Sequence, residues 1–267
     1  MAIYRFILLA LSASVLLLTT TPSHAAFTES VGVVTVRPGV TQSYLILTPE
    51  KPVATVILFA GYGGFLDITK WGIQQPSRNF LVRSRDLFAK RNFITVVIDT
   101  PSDFSSVDGI LGLRATKTHA QDIQKVITKL RQTTDVPLWL VGTSRGTISV
   151  ANAAARLQEN GPDGIVLTAT VVEAGGRNSG YVGDVDLEKI RVPTLIVHHD
   201  EDDCVVCDFH TAQQLPSKIK NASRIEFVAV SGGKQAQSRS CGPLSEHGFF
   251  GIEKTVIDRI AAWITQP

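Results

Sequence analysis

The sequence lacks the features that would assign it to several broad classes. It carries almost no net charge, a formal +2 over 267 residues. No basic stripe interleaved with aromatics runs through it, which argues against a nucleic-acid binder. It has no internal repeat, low-complexity tract or long linker, so nothing divides it into modules. Beyond the N-terminal segment there is no second long apolar run, and the remaining chain is expected to be soluble, without stable membrane insertion. Its glycine-rich turns match neither the dinucleotide-binding nor the phosphate-loop spacing. Cysteine is scarce: Cys204, Cys207 and Cys241 are the three present, all in the last third. An odd number leaves one thiol over if two pair. Zinc is the competing use, with Cys204-x-x-Cys207 near His198, His199 and His210. That spacing fits no standard structural zinc pattern. No metal and no cofactor is expected, and oligomeric state is left open.

What is present begins with Arg5 and the almost wholly apolar stretch Phe6 to Leu18. Ser23-His24-Ala25 then offers small residues at the two positions a signal peptidase inspects. Residues 1–25 are therefore expected to be a secretory signal cleaved after Ala25. The rival is an uncleaved anchor, which usually needs about 20 apolar residues, more than this run supplies. No cysteine follows the run, which argues against a lipoprotein. The expected product is an exported protein, periplasmic or secreted, made of one α/β domain over residues 26–267. Export also permits a disulfide.

Strand-like and helix-like runs alternate along that domain, the pattern of a mostly parallel sheet with helices on both faces. Residues 54–60 form a continuous apolar run, as in a strand buried on both sides. Further strands are expected over 93–99, 138–141, 165–171, 194–198 and 225–230. Residues 31–36 and 43–47 read as an antiparallel edge around the turn Arg37-Pro38-Gly39. Helices are expected over 79–91, 116–132, 147–158 and 251–264. In the second, Ile123, Val126, Ile127 and Leu130 recur at helical spacing, and in the last Val256, Ile257, Ile260 and Trp263 share a face.

The densest chemical signal is Gly142-Thr143-Ser144-Arg145-Gly146, set between the apolar run Leu138 to Val141 and a helix. A serine between glycines at a sharp strand-to-helix turn presents its hydroxyl at the end of the sheet. An ordinary glycine-rich turn is the plainer explanation, and the flanking strand and helix argue against it. A serine hydroxyl needs a base within reach, and the base needs an orienting acid.

The order of elements, the Ser144 turn, and the segments His198-His199, Asp202-Asp203-Cys204 and Ser245-Glu246-His247-Gly248-Phe249 resemble the α/β-hydrolase family over nearly the whole mature chain. In particular they are similar to a little-characterised group of exported bacterial members. The resemblance implies a serine, acid, histidine order: Ser144 as nucleophile, an acid from the run 200–203, and His247 as base. The family's frequent His-Gly-x-x-Asp pattern, counted from His198, selects Asp202. Counted from His199 it selects Asp203, and Glu173 at the end of the preceding strand is a further alternative. A solvated acidic loop is the plainer reading of that run. The oxyanion donors implied are the backbone N–H groups of Arg145 and Tyr62, with Gly63 as the alternative to Tyr62. Cys204 lies two residues after the proposed acid and Cys241 six before the proposed base, so a bond between them would tie those loops together and leave Cys207 free. Such a loop closure is worth roughly 4 kcal/mol in chain entropy. Little room remains for a large helical lid around residue 173, so an accessible pocket is expected, with Tyr62, Phe65, Trp71 and Tyr181 as lining. The implied activity is hydrolysis of a small carboxylic ester, or an amide, through an acyl-enzyme. A catalytically idle ligand-binding protein on the same fold is the alternative.

Overall fold

The computed structural model describes residues 27–75, 77–176 and 179–266. The expected signal segment lies outside the described residues. An eight-stranded sheet runs through the molecule: β1 (Phe27–Arg37), β2 (Val40–Pro49), β3 (Ala54–Phe59), β4 (Phe93–Pro101), β5 (Leu138–Thr143), β6 (Gly164–Thr168), β7 (Thr194–His199) and β8 (Ile225–Val230). Their order across the sheet is β1-β2-β4-β3-β5-β6-β7-β8. The β1–β2 and β2–β4 pairs are antiparallel and all later neighbours are parallel.

The apolar runs form these strands because both faces of the sheet are covered. Every residue of β3, β5, β6 and β7 is buried. Successive side chains go to opposite faces. Ile57 and Phe59 therefore join one core with helices α3 (Lys117–Arg131) and α4 (Gly146–Leu157). Val56 and Leu58 join the other with α1 (Phe80–Arg83), α2 (Arg85–Ala89) and α7 (Glu253–Ile264). The periodic residues of α3 and α7 face their respective cores, and Trp263 of α7 meets Trp139 of β5 edge-on at 5.5 Å. Two short helices, α5 (Phe209–Ala212) and α6 (Leu215–Lys218), precede β8.

The edge strands β1 and β2 are longer than expected, beginning at Phe27 and Val40, and two other elements are broken or cut short. The helix expected over 79–91 is two pieces, because Ser84 leaves the helical region at φ −100°, ψ 4°. The strand expected to reach residue 171 stops at Thr168, where Ala169 turns the chain with φ 44°. Between β6 and β7 the described residues hold only short 3-10 turns, at Val182–Asp184 and Leu187–Lys189, and no lid. Among the described residues no helix is long and apolar enough to cross a membrane.

Candidate active site

Ser144 follows the last residue of β5 and takes φ 51°, a left-handed conformation that a residue with a Cβ adopts at some cost. Its neighbours hold it there. Its N–H donates to the Thr168 carbonyl at 3.0 Å, and its own carbonyl accepts from the Thr147 N–H at 2.9 Å and the Thr147 hydroxyl at 2.6 Å. The flanking glycines are required by close packing. A Cβ on Gly142 would lie 2.6 Å from the Gly146 carbonyl oxygen, and one on Gly146 would collide with the backbone of Phe59. The turn thus brings α4 tight against β3 and β5, with Ser144 at their carboxyl ends.

His247 sits on a 3-10 turn, Glu246–Gly248, between β8 and α7. Arg83 holds this turn, donating to the Gly248 carbonyl at 2.6 Å while pairing with Glu253 at 2.8 Å. Phe249, packed 4.8 Å from Phe80, fixes it from the other side. His247 Nδ1 lies 2.9 Å from Asp202 Oδ2 in a buried pair. The second oxygen, Oδ1, accepts the Cys204 N–H at 3.0 Å. An ionised Asp202 can only accept, so the proton of this pair belongs on Nδ1, and Nε2 is left as a base. Asp203 and Glu173 are exposed, and neither bonds to His247 among the described residues. Ser144 and His247 line one cleft of about 290 Å³, together with Tyr62, Phe65, Asn79, Phe80 and Pro243.

No family model and no curated protein matches the chain. Solved structures do. A dienelactone hydrolase from Anabaena variabilis superimposes with TM-score 0.63 at 14% identity, over 89% of this chain and 97% of that one. Est1E from Butyrivibrio proteoclasticus gives 0.60 at 14%, over 88% and 97%. A cold-adapted esterase from an Arctic intertidal metagenomic library gives 0.59 at 16%, over 88% and 94%. The fold is that of the α/β-hydrolases.

On this α/β-hydrolase fold the loop after β3 approaches the serine turn. Tyr62 has φ 50°, and the backbone N–H groups of Tyr62, Gly63 and Arg145 donate to no acceptor among the described residues. The Arg145 side chain points away from them and binds the carbonyls of Ser179 at 2.6 Å and Gly175 at 3.2 Å. Farther along the same loop, the buried carboxylate of Asp99 accepts the N–H groups of Leu66 at 2.8 Å and Ile68 at 2.6 Å. Burial raises its pKa despite these bonds. Of the aromatics expected to line the cleft, Tyr62 and Phe65 do. Trp71 and Tyr181 do not: Trp71 is exposed beneath the Lys70 ammonium, and Tyr181 packs against the α4 core.

Cys204 is bonded to Cys241, and Cys207 is a buried thiol. The Cys207 sulfur lies within 4.8 Å of the Cys204 sulfur and of a His247 ring nitrogen. Burial drives its pKa well up, Asp202 adds to that, and Arg145 and the Ser144 hydroxyl oppose it. The Cys204 sulfur is committed to the disulfide and His247 Nδ1 to Asp202, so that cluster offers no thiolate pair for zinc. His198 accepts the Thr170 N–H on Nε2 at 2.6 Å and stacks on Phe227. Burial lowers its pKa to about 4. His199 accepts the Glu201 N–H on Nδ1 at 3.1 Å and donates from Nε2 to the Gly232 carbonyl at 2.7 Å. The His199 ring therefore shapes the acid loop, while the His198 ring braces the segment after β6. His210 is exposed on α5.

Sequence reasoning missed Arg114. It is buried, between Leu113 and Ala115, and reaches the loop after β3. No local pattern marks it.

Proposed function

We propose that this protein is a serine hydrolase that cleaves a small carboxylic ester through an acyl-enzyme. The observation that carries this reading is the buried Asp202–His247 pair, whose histidine lines the same cleft as a serine on a strained strand-to-helix turn. Ser144 Oγ attacks the ester carbonyl while His247 Nε2 takes its proton. Asp202 keeps the imidazole in the productive tautomer and stabilises its cation. The Arg145 and Tyr62 N–H groups bind the oxyanion, and the protonated His247 gives its proton to the departing alkoxide. Water then repeats the sequence and releases the acid.

An ester is favoured over an amide by the fold's neighbours, several of which are described as esterases. The small cleft, with Phe65, Leu66 and Phe80 among its walls, favours a short acyl or alcohol part. Export is part of the proposal, on the strength of residues 1–25 and of the Cys204–Cys241 bond. A fluorophosphonate probe and a series of p-nitrophenyl esters of rising chain length test the reading. The expected result is stoichiometric labelling at Ser144 and turnover that falls for long chains. A folded protein that neither labels nor turns over any ester sinks it.

A further inference from the structure

Arg114 has no carboxylate partner among the described residues, although it is only 1% exposed. Its Nη2 donates to two backbone carbonyls, Ala60 at 3.0 Å and Tyr62 at 2.8 Å. Its Nη1 donates to the Ser149 hydroxyl of α4 at 2.8 Å, and Ser149 also meets His119 Nε2 at 2.9 Å. Nε has no partner among the described residues. The guanidinium also lies against Gly64, where a Cβ would come 2.8 Å from Nη2.

These contacts have a specific consequence for one peptide unit. The Ala60 carbonyl belongs to the peptide before Gly61, and the Tyr62 carbonyl to the peptide after Tyr62. A single nitrogen therefore holds both peptides that flank the Gly61–Tyr62 amide, whose N–H is the oxyanion donor in the proposed reaction. Rotating that amide out of place would break at least one of these bonds. Tyr62 needs such a restraint, because φ 50° is strained for a residue with a Cβ and persists only when its surroundings over-determine it. Among the described residues the turn is also closed by Gly64 N–H to the Gly61 carbonyl at 3.1 Å, and the Gly63 carbonyl accepts the Ile110 N–H at 3.0 Å.

The charge adds a second consequence. Burying an unpaired cation is costly, and a neutral donor could bridge carbonyls at lower cost. Burial lowers the pKa of Arg114 to about 9, which leaves it charged at neutral pH, and the other group acting on it is a second cation, Arg145. A positive charge behind the oxyanion loop favours an anion forming in front of it.

We propose that Arg114 is a positioning residue of the oxyanion site: it fixes the Gly61–Tyr62 amide by gripping the carbonyls on either side, and its charge favours the tetrahedral anion. This rests on the serine-hydrolase reading above. The test compares wild type with Arg114→Ala, Arg114→Gln and Arg114→Lys, using a short p-nitrophenyl ester, a trifluoromethyl ketone that becomes an oxyanion on Ser144, and guanidinium ion as a chemical replacement. In Arg114→Ala, kcat should fall about 100-fold or more with KM changed by less than about 3-fold, the scale of losing one oxyanion donor. Affinity for the ketone should fall in parallel. Added guanidinium should restore at least about 10-fold of kcat where urea at the same concentration does not. In Arg114→Lys the ammonium has no planar fork to hold two carbonyls, so that variant should keep most of the stability and still lose about 10-fold in kcat. Its melting curve and kcat stand in if the alanine variant does not fold.

The proposal is overturned if any folded variant keeps kcat within about 3-fold of wild type, or if the loss falls on KM with ketone affinity unchanged. It is also overturned if urea rescues as well as guanidinium. These outcomes leave the serine-hydrolase reading standing so long as wild type turns over esters in a Ser144-dependent way. A wild-type protein that does neither overturns both.

Discussion

Ser144, Asp202 and His247 come from three elements widely separated in sequence, and each is held by bonds to backbone rather than by its own partners alone. The proposed acid illustrates how one residue in a run of four is selected. His199 ends β7 with its side chain locked between Glu201 N–H and the Gly232 carbonyl. The chain then turns through Asp202 N–H to the His199 carbonyl at 3.2 Å, which carries the Asp202 side chain inward and leaves Asp203 exposed. Asp202→Asn should therefore lower kcat by about 1,000-fold or more, since an amide opposite Nδ1 favours the wrong tautomer. Asp203→Asn should stay within about 2-fold. Steady-state kinetics of the two purified variants decide it, and the reverse ranking would move the acid to Asp203. Ser144→Ala should remove essentially all turnover, a loss of about 10,000-fold or more, with an unchanged melting curve. Retained activity in that variant would show that another group is the nucleophile.

Elements buried on two faces are the ones that can be read directly from sequence, because burial on both sides leaves an unbroken apolar run. β3, β5 and β7 are of this kind, and α3 is legible for the complementary reason that its apolar residues recur on one face. The break at Ser84 is not legible. Leu81 and Val82 before it and Phe88 and Ala89 after it keep a helix-like apolar pattern across a residue that is itself buried. In the site, the serine and histidine loops carry local signals, whereas Asn79, Pro243 and Arg114 reach the cleft or its loop only through the tertiary fold. Trp71 shows the converse, an aromatic in the right loop that points to solvent. The Cys204–Cys241 bond joins the acid loop to the segment before His247. Cys204 is also the residue whose N–H binds Asp202 Oδ1. Cys241→Ser should lower stability by about 2–4 kcal/mol, the usual effect of losing such a bridge. It should lower kcat as well, because the N–H that orients the acid loses its anchor. Urea unfolding and kcat measured on the same preparations separate the two effects. An unchanged kcat with lowered stability would confine the disulfide to a structural role, and non-reducing peptide maps showing Cys207 paired would exclude this bond altogether.

Across the whole molecule, two buried histidines make stability depend on pH in a defined direction. His198 in β7 is held to about 4 by burial, and His119 in α3 to about 3 by burial together with Arg114 and Arg37. An unfolded histidine titrates near 6.5. Above that value both states leave the rings neutral and the groups exert no pull. Below it the unfolded chain takes up protons that the native state refuses, so stability present above pH 6.5 is lost as pH falls toward 4 for His198 and toward 3 for His119. The loss is on the order of 2 kcal/mol for each histidine between pH 7.5 and 5. Two carboxylates work the other way. Burial raises Asp99 and Asp122, so the native state binds their protons before the unfolded chain does, which offsets part of the loss at the acid end of this range. The lowered carboxylates Asp208 and Asp258 begin to cost stability only as pH approaches their ordinary value near 3.8. Between pH 6.5 and 5 both rings thus act in the same direction, toward lower stability as pH falls. Urea unfolding of wild type at pH 7.5, 6.5, 5.5 and 5 should show stability falling throughout the lower half of that series. In His198→Gln, whose side-chain oxygen can accept the Thr170 N–H without titrating, the fall should be about half as steep. A wild-type unfolding free energy that is flat from pH 7.5 to 5 would show that these histidines take up protons in the native state as readily as in the unfolded chain.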